Sequence, residues 1–203
     1  MSVSTVAMSE PAAQTEPASE APAKVERAPL RDLLPTGTLR VAVAATSVAL
    51  IVGSFAKYGV SGHARVGAVF CPTLVLLAAI DLKHRLLPNA IILPASLAVG
   101  LIVAVSTPGD FLAHLLAALA LGGFFFAFAA FFPGSLGMGD AKLGFLLGLA
   151  LGAKTLGATL IAFAGLLVGA LYVLATRGAS ARKDSIPFGP FLALGGILAF
   201  FLG

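Results

Sequence analysis

An acid and a base interrupt a long apolar sequence at Gly137-Met138-Gly139-Asp140-Ala141-Lys142-Leu143. The flanking segments are strongly apolar, and an ionisable side chain at the edge of such a segment is expected to have a function. A second acid, Asp81, ends an earlier apolar run and is followed by Lys83 and Arg85. Two carboxylates at the edges of apolar segments, far apart in sequence, predict a pair that helix packing brings together.

The composition indicates a membrane protein. Of the 203 residues, 59% are hydrophobic and 11% are charged, and the mean hydropathy is +1.01. A soluble domain carries about a quarter charged residues. The predicted fold class is all-α, a polytopic membrane helix bundle within the lipid bilayer. The net charge of +4 is small and lies in the loops and the N-terminal tail. It therefore indicates membrane topology and not a nucleic-acid-binding surface.

About seven transmembrane helices are predicted after a polar tail. Residues 1–37 are rich in Ala, Pro, Ser, Thr and Glu, which predicts a disordered segment. Residues 38–203 form the predicted transmembrane domain. Its spans cover residues 39–56, 64–80 or a turn beyond, 90–105, 111–132, 140–153, 155–176 and 188–203. The alternative at the short fifth span is that residues 152–155 only bend one longer helix.

The basic residues predict the orientation of the spans. With seven spans, the tail and the loops after the second, fourth and sixth spans lie on one side. That side holds ten of the 13 Lys and Arg residues, and the other side holds Lys57, Arg65 and Lys154. The positive-inside rule then places the N-terminus in the cytoplasm and the C-terminus outside. Asp81 and Asp140 both fall at cytoplasmic helix ends in this topology, so they are able to meet.

Each acid also has a structural explanation. Asp140 follows a glycine and precedes an apolar run, which is also typical of a helix N-cap. The alternative for Asp81 is an interfacial residue that balances Lys83 and Arg85. Neither His84 nor His114 has ligand spacing with another His, Cys or acid, so no metal site is predicted. The single cysteine, Cys71, excludes an internal disulfide and a cysteine-based zinc site.

Three motifs, in this order along the sequence, resemble those of a known family. The first is Asp81-Leu82-Lys83-His84-Arg85-Leu86-Leu87-Pro88-Asn89, the second is the stretch 137–143, and the third is Ile186-Pro187-Phe188-Gly189-Pro190-Phe191. They resemble the signatures of type IV prepilin peptidases, the Gly-x-Gly-Asp class of intramembrane aspartyl proteases. The resemblance covers residues 64–203 and implies a core of six helices, the second to seventh spans, to which the first span is an addition.

The resemblance implies that Asp81 and Asp140 are the catalytic pair. The other residues that it assigns to the active-site motifs are Gly137, Gly139, Lys142, Pro88, Asn89, Pro187 and Gly189. Glycines 137 and 139 are expected to let a peptide backbone approach closely. The implied function is an aspartic endopeptidase of the cytoplasmic (inner) membrane. It removes the short basic leader from prepilin or pseudopilin substrates at the cytoplasmic face, and no cofactor, metal or nucleic acid is expected.

Two departures from the family pattern bear on activity. Many bacterial members carry an acid where this chain has Asn89, although shorter members often have Asn. The large bacterial enzymes also have an N-terminal cytoplasmic domain that serves N-methylation. This chain resembles instead the short peptidases of tight-adherence (Flp) pilus systems and archaeal preflagellin peptidases, so methyl transfer is not expected.

Two other functions stay open at this point. One is a non-enzymatic membrane scaffold of pilus or secretion assembly, in which the two acids would have no function. The other is a small ion or solute transporter. Transporters often have repeated halves and a site at the middle of the membrane, whereas both acids here are placed near one surface and no internal repeat is evident.

Overall fold

The computed structural model describes residues 29–132, 136–177 and 187–203. Within these ranges the chain is helical and has no strand, so the predicted all-α fold is confirmed. The helices are α1 Leu30–Leu33, α2 Gly37–Tyr58, α3 Gly62–His84, α4 Asn89–Ser106, α5 Phe111–Phe131, α6 Met138–Leu151, α7 Thr155–Arg177 and α8 Gly189–Leu202. A 3-10 turn, Gly152–Lys154, joins α6 to α7. Most of the predicted disordered tail lies outside the described residues.

The helices α2 to α8 correspond one by one to the seven predicted spans. Five stretches are long and apolar enough to cross a membrane by length and composition, namely α2, α3, α4, α5 and Met138–Thr176. The last stretch contains both α6 and α7, and α8 is a shorter apolar helix of 14 residues. The chain is therefore a multi-pass membrane protein, as its composition predicts.

The helices α6 and α8 run side by side in the same direction. A Cβ built on Gly196 lies 3.5 Å from Leu147, and one built on Gly203 lies 2.9 Å from Lys154. Both pairs have the same separation in sequence, so the two helices are parallel and in register. Their N-termini therefore lie at the same end of the bundle.

The helix α7 runs in the opposite direction to α8. Its early residue Ala158 lies against Gly195, whereas its later residue Gly169 lies against Phe191, near the start of α8. The chain thus reverses at the 3-10 turn after α6, where Gly152 has a φ of +55°, a conformation that favours glycine. The alternative of one bent helix through residues 152–155 is wrong, and the fifth and sixth predicted spans are separate helices.

The helices α5 and α6 pack closely because glycines line their contact. A Cβ on Gly148 would fall on the backbone of Ala118, and one on Gly122 would lie 2.9 Å from the Cβ of Phe145. Small residues at such positions let helices approach closely in lipid, where packing replaces the hydrophobic effect as the main attraction. This contact fixes the position of α6, whose first turn carries Asp140.

Candidate active site

Four helix termini meet at one end of the bundle, which we call the site end. They are the last turn of α3, which carries Asp81, and the first turns of α4, α6 and α8. The opposite end, called the far end, holds the start of α3, where a Cβ on Gly62 would overlap Ser106 at the end of α4. The described residues of the three motifs therefore lie at the same end of the bundle.

Asp81 is buried on the last turn of α3, with 6% of its surface exposed. Its Oδ2 atom accepts a hydrogen bond from the backbone N–H of Gly189, at 3.1 Å. The helix ends shortly after this residue because Arg85 takes a left-handed conformation with φ 51° and donates its N–H to the Asp81 carbonyl at 2.8 Å. Asp81 is therefore held between the end of α3 and the start of α8.

Asp140 lies in the first turn of α6 and is partly exposed. Its Oδ2 atom accepts a hydrogen bond from the Gly137 N–H at 3.1 Å, and its own N–H donates to the Gly137 carbonyl at 3.0 Å. Gly137 is the N-cap and Met138 the first helical residue. The interpretation of Asp140 as the N-cap is therefore wrong, because its carboxylate closes the cap from the third helical position.

The two carboxyl groups are close enough to interact electrostatically. Asp81 reaches the site end from α3 and Asp140 from α6, so the pair depends on tertiary packing and not on local sequence. The side chains also differ in exposure, since Asp81 is buried and Asp140 is partly accessible. Two acids at one end of a helix bundle are candidates for acid–base chemistry on a bound water.

A second contact joins the start of α4 to the start of α6. Lys142 Nζ donates a hydrogen bond to Asn89 Oδ1 at 2.7 Å. Beside it, Leu87 packs against Gly139, where a built Cβ would lie 2.7 Å from the Leu87 Cβ. The space at Gly139 is therefore filled by the chain's own Leu87, and the expected approach of a substrate backbone at this glycine is not possible without displacing that side chain.

The third motif forms the start of α8. Gly189 is buried as the first helical residue, and Phe188 precedes it as the N-cap. The Phe188 ring packs against Phe125 of α5 and Phe163 of α7, with ring centroids 5.7 Å and 5.3 Å apart. Pro187 is partly buried, and Ile186 lies outside the described residues. The start of α8 is thus fixed by an aromatic cluster on one side and by Asp81 on the other.

Some residues of the site were not predicted from the sequence. Leu87 belongs to the first motif, but nothing in its local pattern indicated the contact with Gly139. Phe125 and Phe163 lie in uniformly apolar helices, so the sequence does not show which phenylalanines pack against Phe188. Among the described residues, no group of three or more His, Cys, Asp or Glu is able to hold a metal ion.

The fold and the site define a multi-pass helical membrane protein with two carboxyl groups from different helices at one end of the bundle. A family model of the type IV leader peptidases matches residues 68–174, which is just over half of the chain. The chain belongs to the type IV leader peptidase family. The matched range contains Asp81, Asn89, Asp140 and Lys142 and ends before Gly189.

Similar proteins bear the name prepilin leader peptidase/N-methyltransferase. The chain is 37% identical over 154 residues to the one from Bacillus subtilis, covering 72% of this chain and 59% of that protein. It is 35% identical over 180 residues to the one from Burkholderia pseudomallei strain 1026b, covering 83% and 56%. The chain thus spans little more than half the length of these relatives. No solved structure matches it.

The Lys142–Asn89 hydrogen bond is expected to hold α4 and α6 together at the site end. Lys142→Met should therefore lower the midpoint of thermal unfolding in lipid nanodiscs, because a hydrogen bond to a charged group contributes about 1.5–3 kcal/mol. Asn89→Asp should not, because a carboxylate still accepts from the ammonium.

The matched control is Lys83→Met, which removes an exposed lysine at the same end of the bundle. It should leave the midpoint of thermal unfolding near that of the wild type. An unchanged midpoint for Lys142→Met would contradict the prediction.

Proposed function

We propose that this chain is an intramembrane aspartic endopeptidase that removes the short leader from prepilin or pseudopilin proteins. The observation that carries the proposal is the pair Asp81 and Asp140, delivered to one end of the bundle by two different helices in a chain of the type IV leader peptidase family. The names of the relatives support the substrate class.

The chemistry follows from two carboxyl groups that share a site. The two groups do not easily ionise at the same time, so one keeps its proton while the other is a carboxylate. The carboxylate takes a proton from a bound water, the water attacks the scissile carbonyl, and the neutral acid donates its proton to the carbonyl oxygen. The proton shared by the pair is then in place to protonate the leaving amine. The roles of acid and base belong to the coupled pair and not to one residue.

The site end is proposed to face the cytoplasm across the cytoplasmic membrane. Among the described residues, Arg40, Lys83, Arg85 and Lys142 lie toward this end, and such an excess of basic residues marks the cytoplasmic side. In this orientation the N-terminus is cytoplasmic and the C-terminus external. The leader of a substrate then approaches from the cytoplasm, and its apolar helix enters the bilayer beside the bundle.

The carboxyl pair also weighs against the alternative functions. A scaffold would gain nothing from a second acid near the buried one, because two like charges at one site repel each other. A transporter would need a path from the site end to the far end, whereas the interior below the acids is filled by side chains such as Leu74, Leu147 and Leu192, all fully buried. Hydrolysis at the site end needs no such path.

Replacing either acid with its amide is expected to abolish leader cleavage. Asp81→Asn and Asp140→Asn keep the shape but remove a proton donor or acceptor, so the rate should fall by about 10²–10⁴-fold or more. The double variant should be no slower than either single variant, because the two acids act as a unit. Cleavage of a prepilin by purified protein in lipid nanodiscs measures these rates.

The control for these variants is Asp110→Asn, which changes an exposed acid in the loop before α5 at the far end. It should leave the cleavage rate near that of the wild type. Thermal unfolding in the same nanodiscs shows whether each variant is folded. If folded Asp81→Asn or Asp140→Asn protein still cleaves at a rate near that of the wild type, the chain is not an aspartic protease.

Gly189→Ala is expected to reduce kcat without a matching rise in KM. A Cβ at this position would lie 2.6 Å from Asp81 Oδ2 and 3.0 Å from its Cγ. The carboxyl group must therefore move, and a displacement of about 1 Å in a catalytic group typically costs about 100-fold in rate. Gly109→Ala, at a glycine with no atom within 4 Å of a built Cβ, is the matched control and should be neutral. An unchanged kcat for Gly189→Ala would show that this contact does not position Asp81.

The expectation that this chain does not methylate its product stays a prediction, which follows from the likeness to the short family members. A prepilin should be incubated with the purified chain and S-adenosylmethionine, and the new N-terminus measured by mass spectrometry. We expect the mass of the free amine. A product heavier by one methyl group would contradict the prediction while leaving the cleavage reaction intact.

A further inference from the structure

A buried ring nitrogen without a partner lies at the end of α3. His84 is the last residue of that helix, and its side chain as a whole is partly exposed. Its Nε2 atom, however, is buried and has no hydrogen-bond partner in the part of the chain that the structure describes. Buried polar atoms nearly always have a partner, and an exception needs an explanation. Neither the helix cap at Arg85 nor the pair of carboxyl groups uses this nitrogen.

His84 continues the face of α3 that carries Asp81. It lies three residues after Asp81 and four residues after Ile80, which is 1% exposed. Residues three or four apart lie on the same face of a helix, with Cβ atoms about 5–6 Å apart. Three residues beyond His84, Leu87 packs against Gly139 at the start of α6. The imidazole ring therefore lies at the site end, on the segment that connects Asp81 to the start of the helix that carries the second acid.

A second histidine of α3 shows what a packing role looks like. His63, at the far end, also has a buried Nε2 atom without a hydrogen-bond partner among the described residues. Its ring stacks on Phe200 with centroids 4.7 Å apart and meets the ring of Tyr58 edge-on at 4.5 Å. Two aromatic neighbours therefore account for the position of His63. Within the described ranges, His84 has no ring contact, hydrogen bond or ion pair, so packing of this kind does not account for it.

A peptide bound beside the acids needs partners for its own backbone. An extended segment has no hydrogen bonds of its own, and an unpaired peptide group is costly in apolar surroundings. The described residues form no strand whose edge could pair with the peptide, so side chains and helix termini must supply the partners. At the site end, Asn89 Oδ1 already accepts from Lys142, and Asp81 Oδ2 accepts from the Gly189 N–H. The Nε2 atom of His84 is a polar atom of this region whose capacity is unused.

We propose that His84 binds the substrate by donating a hydrogen bond from Nε2–H to a backbone carbonyl oxygen next to the scissile bond. The inference rests on the proposed function. Because the side chain is partly exposed at a helix end, its rotamer changes rapidly, and the nitrogen is able to turn from its buried position toward a bound peptide. The carbonyl that it binds does not itself react, so the hydrogen bond is equally strong in the bound substrate and in the transition state. Loss of such a contact raises KM and leaves kcat unchanged.

Three substitutions of His84 test which atom of the ring is used. The amide nitrogen of glutamine reaches about as far from the backbone as Nε2, whereas that of asparagine reaches only as far as Nδ1. His84→Ala and His84→Asn should therefore raise KM for a prepilin about three- to tenfold, the effect expected of one hydrogen bond, with kcat near that of the wild type. His84→Gln should keep KM close to the wild-type value. Initial rates of cleavage at several prepilin concentrations, in lipid nanodiscs, measure both constants.

The matched control is His63→Ala, which removes the other histidine of α3 with an unpartnered Nε2 atom. This change loses two ring contacts and should lower the midpoint of thermal unfolding, while the folded protein keeps the wild-type KM. If His84→Ala behaves in the same way, with a lower midpoint and an unchanged KM, then His84 has only a structural role and the inference is wrong. Equal KM values for His84→Gln and His84→Ala would also contradict it, because the position of the nitrogen would then not matter.

A binding measurement separates this inference from the proposed function. Fluorescence anisotropy of a labelled prepilin with Asp140→Asn protein in nanodiscs gives an affinity without cleavage, and adding His84→Ala should weaken it about three- to tenfold. An unchanged affinity would overturn the inference even if the wild type cleaves the prepilin. If the wild type binds the prepilin but does not cleave it, the proposed function fails, whereas the weaker binding of the His84→Ala protein would still support the contact. Absence of any binding would contradict both.

Discussion

The hydrogen bond from the Gly189 N–H to the Asp81 carboxyl group is the contact on which the site depends. A carboxyl group buried among apolar helices is costly unless it has a partner. The first N–H groups of a helix have no partner within that helix, so the start of α8 is a natural donor. The contact needs α3 to end and α8 to begin at the same end of the bundle. The alternating helix directions and the reversal at Gly152 satisfy that requirement.

The second motif has both a packing role and a proposed chemical role. Gly137 takes the N-cap position, Gly139 leaves room for Leu87, and Asp140 closes the cap with its carboxylate. The same hydrogen bond that stabilises the start of α6 therefore fixes the orientation of the carboxyl group. An acid at the third helical position is able both to cap the helix and to take part in the proposed chemistry.

The sequence allowed the helices and the acids to be predicted, because both leave local signals. Apolar runs indicate the spans, and an acid at the edge of a run is conspicuous in a chain with 11% charged residues. The sequence predicts that α6 begins at Asp140, whereas it begins at Met138, because the capping glycine has no side chain that would indicate the start. The contacts of Leu87 with Gly139, and of Phe188 with Phe125, join residues distant in sequence. Such contacts have no periodicity, so only the folded chain shows them.

The position of the acids at helix ends would also make the proposed hydrolysis compatible with a membrane protein. Water must reach the scissile bond, yet an unsatisfied polar group is costly within the hydrocarbon. Helix termini carry unpaired backbone groups that attract water, and four of them meet beside Asp81 and Asp140. A substrate helix must also unwind for its peptide bond to reach the acids, and this is easiest where its end leaves the hydrocarbon.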